Sequence, residues 1–73
     1  MMKPIDMAIE LAGGQTALGK ILGKRQSHVF SWKKRGYPPA DMAVKIEAAV
    51  GGKVTRHQLR PDVFGTDSLP GAE

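Results

Sequence analysis

Side chains suited to recognition chemistry are concentrated at the start and along the outer face of one predicted helix. Five are polar and one is aromatic: Arg25, Gln26, Ser27, His28, Ser31 and Phe30. In DNA recognition, glutamine pairs bidentately with adenine, arginine pairs bidentately with guanine, and serine accepts several partners. The pattern therefore predicts contacts between these side chains and base edges in the major groove of DNA.

The net charge of +4 is carried by one short part of the chain. Residues 1–23 sum to zero, residues 24–35 carry five basic side chains and no acidic one, and residues 36–73 sum to −1. A cationic footprint of this kind favours a polyanionic partner, most simply nucleic acid, although a solvated helix face would have the same composition. The candidates for phosphate contacts are Lys24, Lys33, Lys34 and Arg35.

Three ring-bearing side chains have competing interpretations. Trp32 shares a helix face with Val29, so we expect it in the core rather than stacked on a base. Phe30 points away from that face, where it contacts a thymine methyl group or packs on a neighbouring lysine stem. His28 either reaches DNA or is simply exposed to solvent.

Several classes of protein are disfavoured. The chain has no cysteine and only two histidines far apart, so we expect no disulfide, zinc site or other cofactor. Ser27 and Ser31 lack a base and acid for nucleophilic catalysis, so we expect neither an enzyme nor a small-molecule substrate. No apolar run resembles a signal peptide or a membrane span, which predicts a cytoplasmic protein with no membrane partner.

The elements that position these side chains are all predicted to be helical. Glycine and proline punctuation with helical apolar spacing predicts helices over 4–12, 16–22, 26–34 and 39–50. Thr55 and Gln58 have the spacing of a capping box, which opens a short fifth helix ended by Pro61. The prediction is one all-α domain of five helices over residues 1–64, followed by a disordered tail over 65–73.

The second and third predicted helices are joined by a tight turn at Gly23. Leu18 and Leu22 on the first of these helices face Val29 and Trp32 on the second. This spacing lets the two helices pack across each other at a steep angle, which fixes the tilt of the second helix.

These motifs resemble the helix-turn-helix of phage Cro and repressor proteins. The similarity rests on Gln15-Thr16, Leu22-Gly23 and Gln26-Ser27, and the segment 46–64 resembles the tail of the YdaS-type antitoxin family of Cro-like regulators. The resemblance covers residues 3–64. It implies a dimeric DNA-binding regulator from a prophage or toxin–antitoxin setting, with helix 26–34 in the major groove, Gln26 and Ser27 on bases, and Gln15 on a phosphate.

The chain departs from the family pattern at four positions. Lys24 replaces an apolar residue that fills the gap between the helices, and Arg25 replaces a serine-like N-cap worth about 1 kcal/mol. Gly19 replaces alanine at a helix cost of about 1 kcal/mol. Phe30 stands where a polar side chain is common.

The apolar residues of the C-terminal segment are candidates for a dimer surface, although the same residues would also serve to close the core. They are Val54, Leu59, Val63 and Phe64. A two-fold dimer would place its two recognition helices about 34 Å apart, which predicts a palindromic operator. The rival interpretation is a protein-interaction module, an antitoxin or antirepressor that sequesters a partner protein such as a toxin. RNA binding is weaker, because aromatic residues are 5% of the chain and no sheet is predicted to stack bases.

Overall fold

The computed structural model describes residues 2–65, which form six α-helices and no strand. The helices are α1 Pro4–Ala12, α2 Gln15–Leu22, α3 Gln26–Arg35, α4 Ala40–Ala49, α5 Arg56–Leu59 and α6 Pro61–Phe64. The predicted all-α class is confirmed, and the first four helices begin and end within one residue of their predicted limits. The predicted tail, apart from Gly65, lies outside the described residues. Within residues 2–65, no helix combines the length and the apolar character that crossing a membrane requires.

The count of five helices was wrong, because Pro61 begins a helix as well as ending one. A proline lacks the N–H that would continue α5, but its fixed φ suits the first position of a new helix. Pro61 stands at that position in α6, and the amides of Val63 and Phe64 bond to the Arg60 carbonyl at 3.1 and 3.0 Å. The segment therefore turns twice within ten residues.

The start of α5 is fixed by two independent hydrogen-bonding arrangements. The predicted capping box is present: the Gln58 amide donates to Thr55 Oγ1 at 3.2 Å, and the Thr55 amide donates to Gln58 Oε1 at 2.9 Å. In addition, Glu47 of α4 accepts from the Arg56 amide at 2.7 Å and from Arg56 Nε at 3.0 Å. These bonds to Arg56 hold the pKa of the Glu47 carboxyl below its usual range.

One apolar core joins the helices. Its members are Ile5, Ala8, Ile9, Leu18, Val29, Trp32, Met42, Ala43, Ile46, Val50, Val54 and Leu59. The α2 helix contacts α1, α3 and α4, while α5 contacts α1 and α4. Trp32 is buried as predicted. α2 is thus held on three sides, and it forms the rigid base against which α3 is positioned.

The core also corrects half of the predicted dimer surface. Val54 is 1% exposed and Leu59 is 4% exposed, so both close the core of the monomer and neither is open to a partner. The α5 turn folds back onto α1 and α4, and its apolar side chains fill the space between them. Val63 is 51% exposed, and Phe64 is half-buried against the core. Only these two candidates remain accessible.

Candidate nucleic-acid interface

The α3 helix buries one narrow face and exposes the rest. Val29 and Trp32 are its buried residues. The six side chains predicted to contact bases are all exposed: Arg25, Gln26, Ser27, His28, Phe30 and Ser31. Phe30 points away from the core as expected, with 52% of its surface exposed. One face of α3 is therefore packed in the core, and its opposite, mostly polar face is exposed to solvent.

The turn before α3 is formed by an unusually close backbone approach. Gly23 adopts the left-handed conformation that ends α2, with φ of 71°, which favours glycine because it has no Cβ. The Lys24 amide donates to the Gly19 carbonyl at 2.8 Å. A Cβ built on Gly19 would lie only 2.7 Å from the Lys24 carbonyl oxygen. Gly19 is therefore required by this turn, rather than being a mere loss of helix propensity.

Arg25 occupies the N-cap position of α3 but does not cap it with its side chain. Its backbone carbonyl accepts from the His28 amide at 3.0 Å, as an N-cap residue does. Its guanidinium makes no hydrogen bond with any residue from 2 to 65, so all its donors are available to an external acceptor. The expected loss of a side-chain cap is confirmed, and a free guanidinium at the helix start is its consequence.

The side chains of Gln26 and Gln15 are joined across the two helices. Gln26 Nε2 donates to Gln15 Oε1. A glutamine amide has two N–H donors and one carbonyl acceptor, so Gln26 keeps one N–H and its Oε1 for a base edge. Gln15 keeps both of its N–H donors for a phosphate oxygen. The bond therefore fixes the orientation of Gln26 while leaving the groups that adenine recognition needs.

Ser31 is tied to its own helix. Its hydroxyl donates to the Ser27 carbonyl one turn earlier at 3.1 Å. The hydroxyl proton is therefore engaged, and the oxygen remains free to accept. This pattern suits Ser31 to accept from a base amino group rather than to donate to a base carbonyl.

The predicted phosphate contacts fall into different electrostatic settings. Lys33 Nζ lies 3.0 Å from Asp6 Oδ1 of α1, so its charge is shared within the molecule. Lys24 and Lys34 are exposed and form no ion pair with the part of the chain that the structure describes. Arg35 Nε donates to the Tyr37 carbonyl at 3.4 Å. Three cations at the two ends of α3 thus remain open to an anion.

Sequence reasoning missed the residues that support the C-terminal end of α3. The proline punctuation after α3 predicted only where that helix ends, and no motif singled out Arg60. In the structure, Arg60 Nη1 donates to the Pro38 carbonyl at 2.9 Å, and Arg60 also pairs with Asp62. The hydrogen bonds of that pair raise the pKa of Arg60 and lower the pKa of Asp62. No periodicity in the sequence marks a contact between residues this far apart.

The two crossed helices, their glycine turn and the supporting helices α1, α4 and α5 define a small Cro-like helix-turn-helix domain. The chain belongs to the family described as "Bacterial toxin YdaS", whose model matches residues 5–68. That description says toxin, where the sequence resemblance had indicated the antitoxin side of such a system.

One curated protein and one solved structure are also similar to this chain. A protein of Escherichia coli (strain K12) named "Putative transcriptional regulator YdaS" is 37% identical over 57 residues, which cover 77% of this chain and 58% of that protein. The chain thus spans little more than half of that relative's length. The solved "Structure of the Cro protein from putative prophage element Xfaso 1 in Xylella fastidiosa strain Ann-1" has 45% identity and a TM-score of 0.84. That match covers 88% of this chain and 98% of the other.

Proposed function

We propose that this protein is a sequence-specific DNA-binding transcriptional regulator that binds a palindromic operator as a homodimer. The observation that carries the proposal is that every candidate base-contact side chain is exposed, on α3 or at its N-cap, while Val29 and Trp32 fix the opposite face of α3 in the core. The names of its relatives, a transcriptional regulator and a Cro protein, support the same function. They give no support to an enzymatic role.

The recognition step follows from the chemistry of the exposed face. Gln26, held by Gln15, keeps one acceptor and one donor, and this is the pair of groups that binds adenine. Arg25 has the free guanidinium that pairs with guanine, and Ser27 adds a small hydroxyl beside it. Phe30, with half of its surface exposed, would contact a thymine methyl group. These four side chains carry the sequence preference.

The binding energy that does not depend on sequence comes from the basic residues around that face. Lys24 and Arg35 at the two ends of α3, together with Lys34, neutralise phosphates and release counterions. Gln15 donates to a phosphate without adding charge. Lys33 contributes less, because Asp6 already compensates its charge. Affinity should therefore fall steeply as salt rises.

The test is a mobility-shift titration over a salt series. The probes are duplexes selected on the protein from a random pool, compared with scrambled duplexes of the same composition. Gln26→Ala should cost about 1–3 kcal/mol at one base position and leave scrambled duplexes unaffected. Lys34→Ala should weaken all duplexes alike and reduce the slope of log K against log salt by about 0.9 for each bound chain.

A lysine outside the two helices and the turn that carry the predicted DNA contacts supplies the matched control. Lys53 is exposed in the segment between α4 and α5, and it forms no ion pair within residues 2–65. Lys53→Ala removes the same charge as Lys34→Ala and should leave the salt slope unchanged. An affinity indifferent to salt, or equal for selected and scrambled duplexes, refutes the proposal.

The dimer proposal is now confined to Val63 and Phe64. Val63→Asp should shift the protein toward monomer in sedimentation equilibrium and weaken operator binding. Leu11→Asp is its control, because Leu11 is also exposed, at 45%, but lies on α1. If Leu11→Asp dissociates the dimer and Val63→Asp does not, the interface is on α1 and the assignment is wrong.

The rival function is sequestration of a partner protein, a toxin or an antirepressor. It predicts that the triple variant Arg25→Ala, Gln26→Ala, Ser27→Ala keeps its regulatory effect in cells. Operator binding predicts that the same variant loses this effect while its thermal stability is unchanged.

A further inference from the structure

The ring of Tyr37, two residues after α3 ends, has two guanidinium groups against it. Cζ of Arg35 lies 4.8 Å from the ring centroid, and Cζ of Arg60 lies 4.9 Å from it. Both distances are within the range of cation–π attraction. Arg35 is the last residue of α3, whereas Arg60 joins α5 to α6. The ring therefore links the recognition helix to the C-terminal helices.

The two guanidinium groups differ in how they are held. Arg60 Nε and Nη2 donate to the two carboxylate oxygens of Asp62 at 3.0 and 2.8 Å. Its Nη1 donates to the Pro38 carbonyl at 2.9 Å, and its side chain is only 17% exposed. Arg60 is thus anchored on three sides, and its charge is balanced by Asp62.

Arg35 is held on one side only. It donates to the Tyr37 carbonyl at 3.4 Å and lies against the Tyr37 ring. It is exposed, and no carboxylate among residues 2–65 pairs with it. Its charge is therefore available to an external anion, while its position depends on Tyr37.

We propose that Arg60 is a positioning residue for DNA binding: through Pro38 and Tyr37 it holds the Arg35 guanidinium in place for a backbone phosphate. The inference rests on the proposed function and extends it, because it makes affinity for DNA depend on the helices α5 and α6. An arginine has large rotamer freedom, so without this support the Arg35 side chain would spread over many rotamers and would contact a phosphate in fewer of the bound complexes. Loss of Arg60 would leave the charge of Arg35 unchanged, but its guanidinium would no longer be held in one position.

The pairing of Arg60 with Asp62 permits a test that leaves the net charge unchanged. The double variant Arg60→Gln, Asp62→Asn removes one positive and one negative charge together. Arg35→Ala removes the phosphate contact directly. The readout is the slope of log K against log salt on the selected duplex, measured below the melting temperature of each variant.

Arg35→Ala should make the negative slope shallower by about 0.9 for each bound chain. The charge-neutral double variant should make it shallower by a similar amount. The triple variant combining all three changes should lower it no further, because both routes remove the same contact. The matched control is Glu47→Gln, Arg56→Gln, which removes another ion pair from the C-terminal region without contact with Tyr37. It should lower the melting temperature and leave the slope unchanged.

Each result has a definite meaning. If Arg35→Ala lowers the slope and the Arg60→Gln, Asp62→Asn variant does not, Arg60 has no positioning role. If the two effects add in the triple variant, or if Arg35→Ala leaves the slope unchanged, the proposed route through Tyr37 is wrong. Failure of the wild-type protein to bind any duplex overturns the proposed function itself, which is a separate outcome.

Discussion

Gly19→Ala is the substitution that most directly tests how α3 is positioned. Within α2, alanine is the better helix former, and a sequence-based expectation is that it stabilises the protein by about 1 kcal/mol. The structure predicts the opposite sign. The added Cβ would lie 2.7 Å from the Lys24 carbonyl oxygen, well inside normal contact distance.

The expected change in unfolding free energy depends on how far the backbone of the turn can move to relieve this contact. The Lys24 amide already donates to the Gly19 carbonyl at 2.8 Å, so the Lys24 peptide cannot move away without losing that bond. Overpacking of a buried position costs about 1–3 kcal/mol. After subtraction of the gain in helix propensity, the expected net loss is about 1 kcal/mol. For a domain of this size, that lowers the melting temperature by about 4–8 °C.

The assay is thermal and denaturant unfolding followed by fluorescence of Trp32, the single tryptophan, which is 5% exposed. Lys20 supplies the calibration, because it is exposed and adjacent in α2. Lys20→Ala should exceed Lys20→Gly in stability by about 1 kcal/mol, the ordinary difference between these residues in a helix. If Gly19→Ala is stabilised by the same amount, the close approach to Lys24 does not exist and the reasoning is refuted.

Three further predictions concern stability and its pH dependence. Thr55→Ala should cost about 1 kcal/mol of unfolding free energy through loss of the α5 cap, and Thr55→Ser should restore most of it; equal melting of the two variants would contradict a capping role. Glu47→Gln should cost about 0.5–1 kcal/mol near neutral pH. Because bonds to Arg56 lower the pKa of folded Glu47, this contribution is present above the usual glutamate pKa and is lost as the pH falls; a wild-type advantage in melting that stays constant with acidification would contradict it. Leu18→Ala should cost about 2–5 kcal/mol, enough to unfold most of so small a domain, whereas exposed Leu11→Ala should change little in circular dichroism.

The first four helices could be predicted because their signals are local. Apolar residues recur at helical spacing, and a glycine or proline ends each run, so both kinds of information lie within a dozen residues. Pro61 shows where local rules become ambiguous, since the same residue ends α5 and begins α6. Choosing between the two outcomes depends on the conformation of the next few residues, and Val63 and Phe64 have too few apolar neighbours along the chain to indicate it.

The candidate interface could be predicted for its exposed face but not for its supports. The face follows from helical periodicity around Val29 and Trp32. The pairs that support it join residues far apart: Lys33 meets Asp6 across 27 positions, and Arg60 meets the Pro38 carbonyl across 22. Such contacts arise from tertiary packing, which the spacing of residue types along the chain does not encode.

The way α3 is held at both ends separates two kinds of change in DNA binding. At its start, the Gly19 and Lys24 backbones are in close contact, and at its end Tyr37 lies between the chain that leaves α3 and Arg60. Changes to these supports tilt or loosen the whole helix, so they should alter affinity for every duplex together. Changes to the outward-facing side chains, above all to Gln26, leave the tilt intact and should alter preference at single base pairs. A new operator specificity should therefore be reachable by outward-facing substitutions alone, with Gly19, the Lys24 backbone and Tyr37 kept as they are.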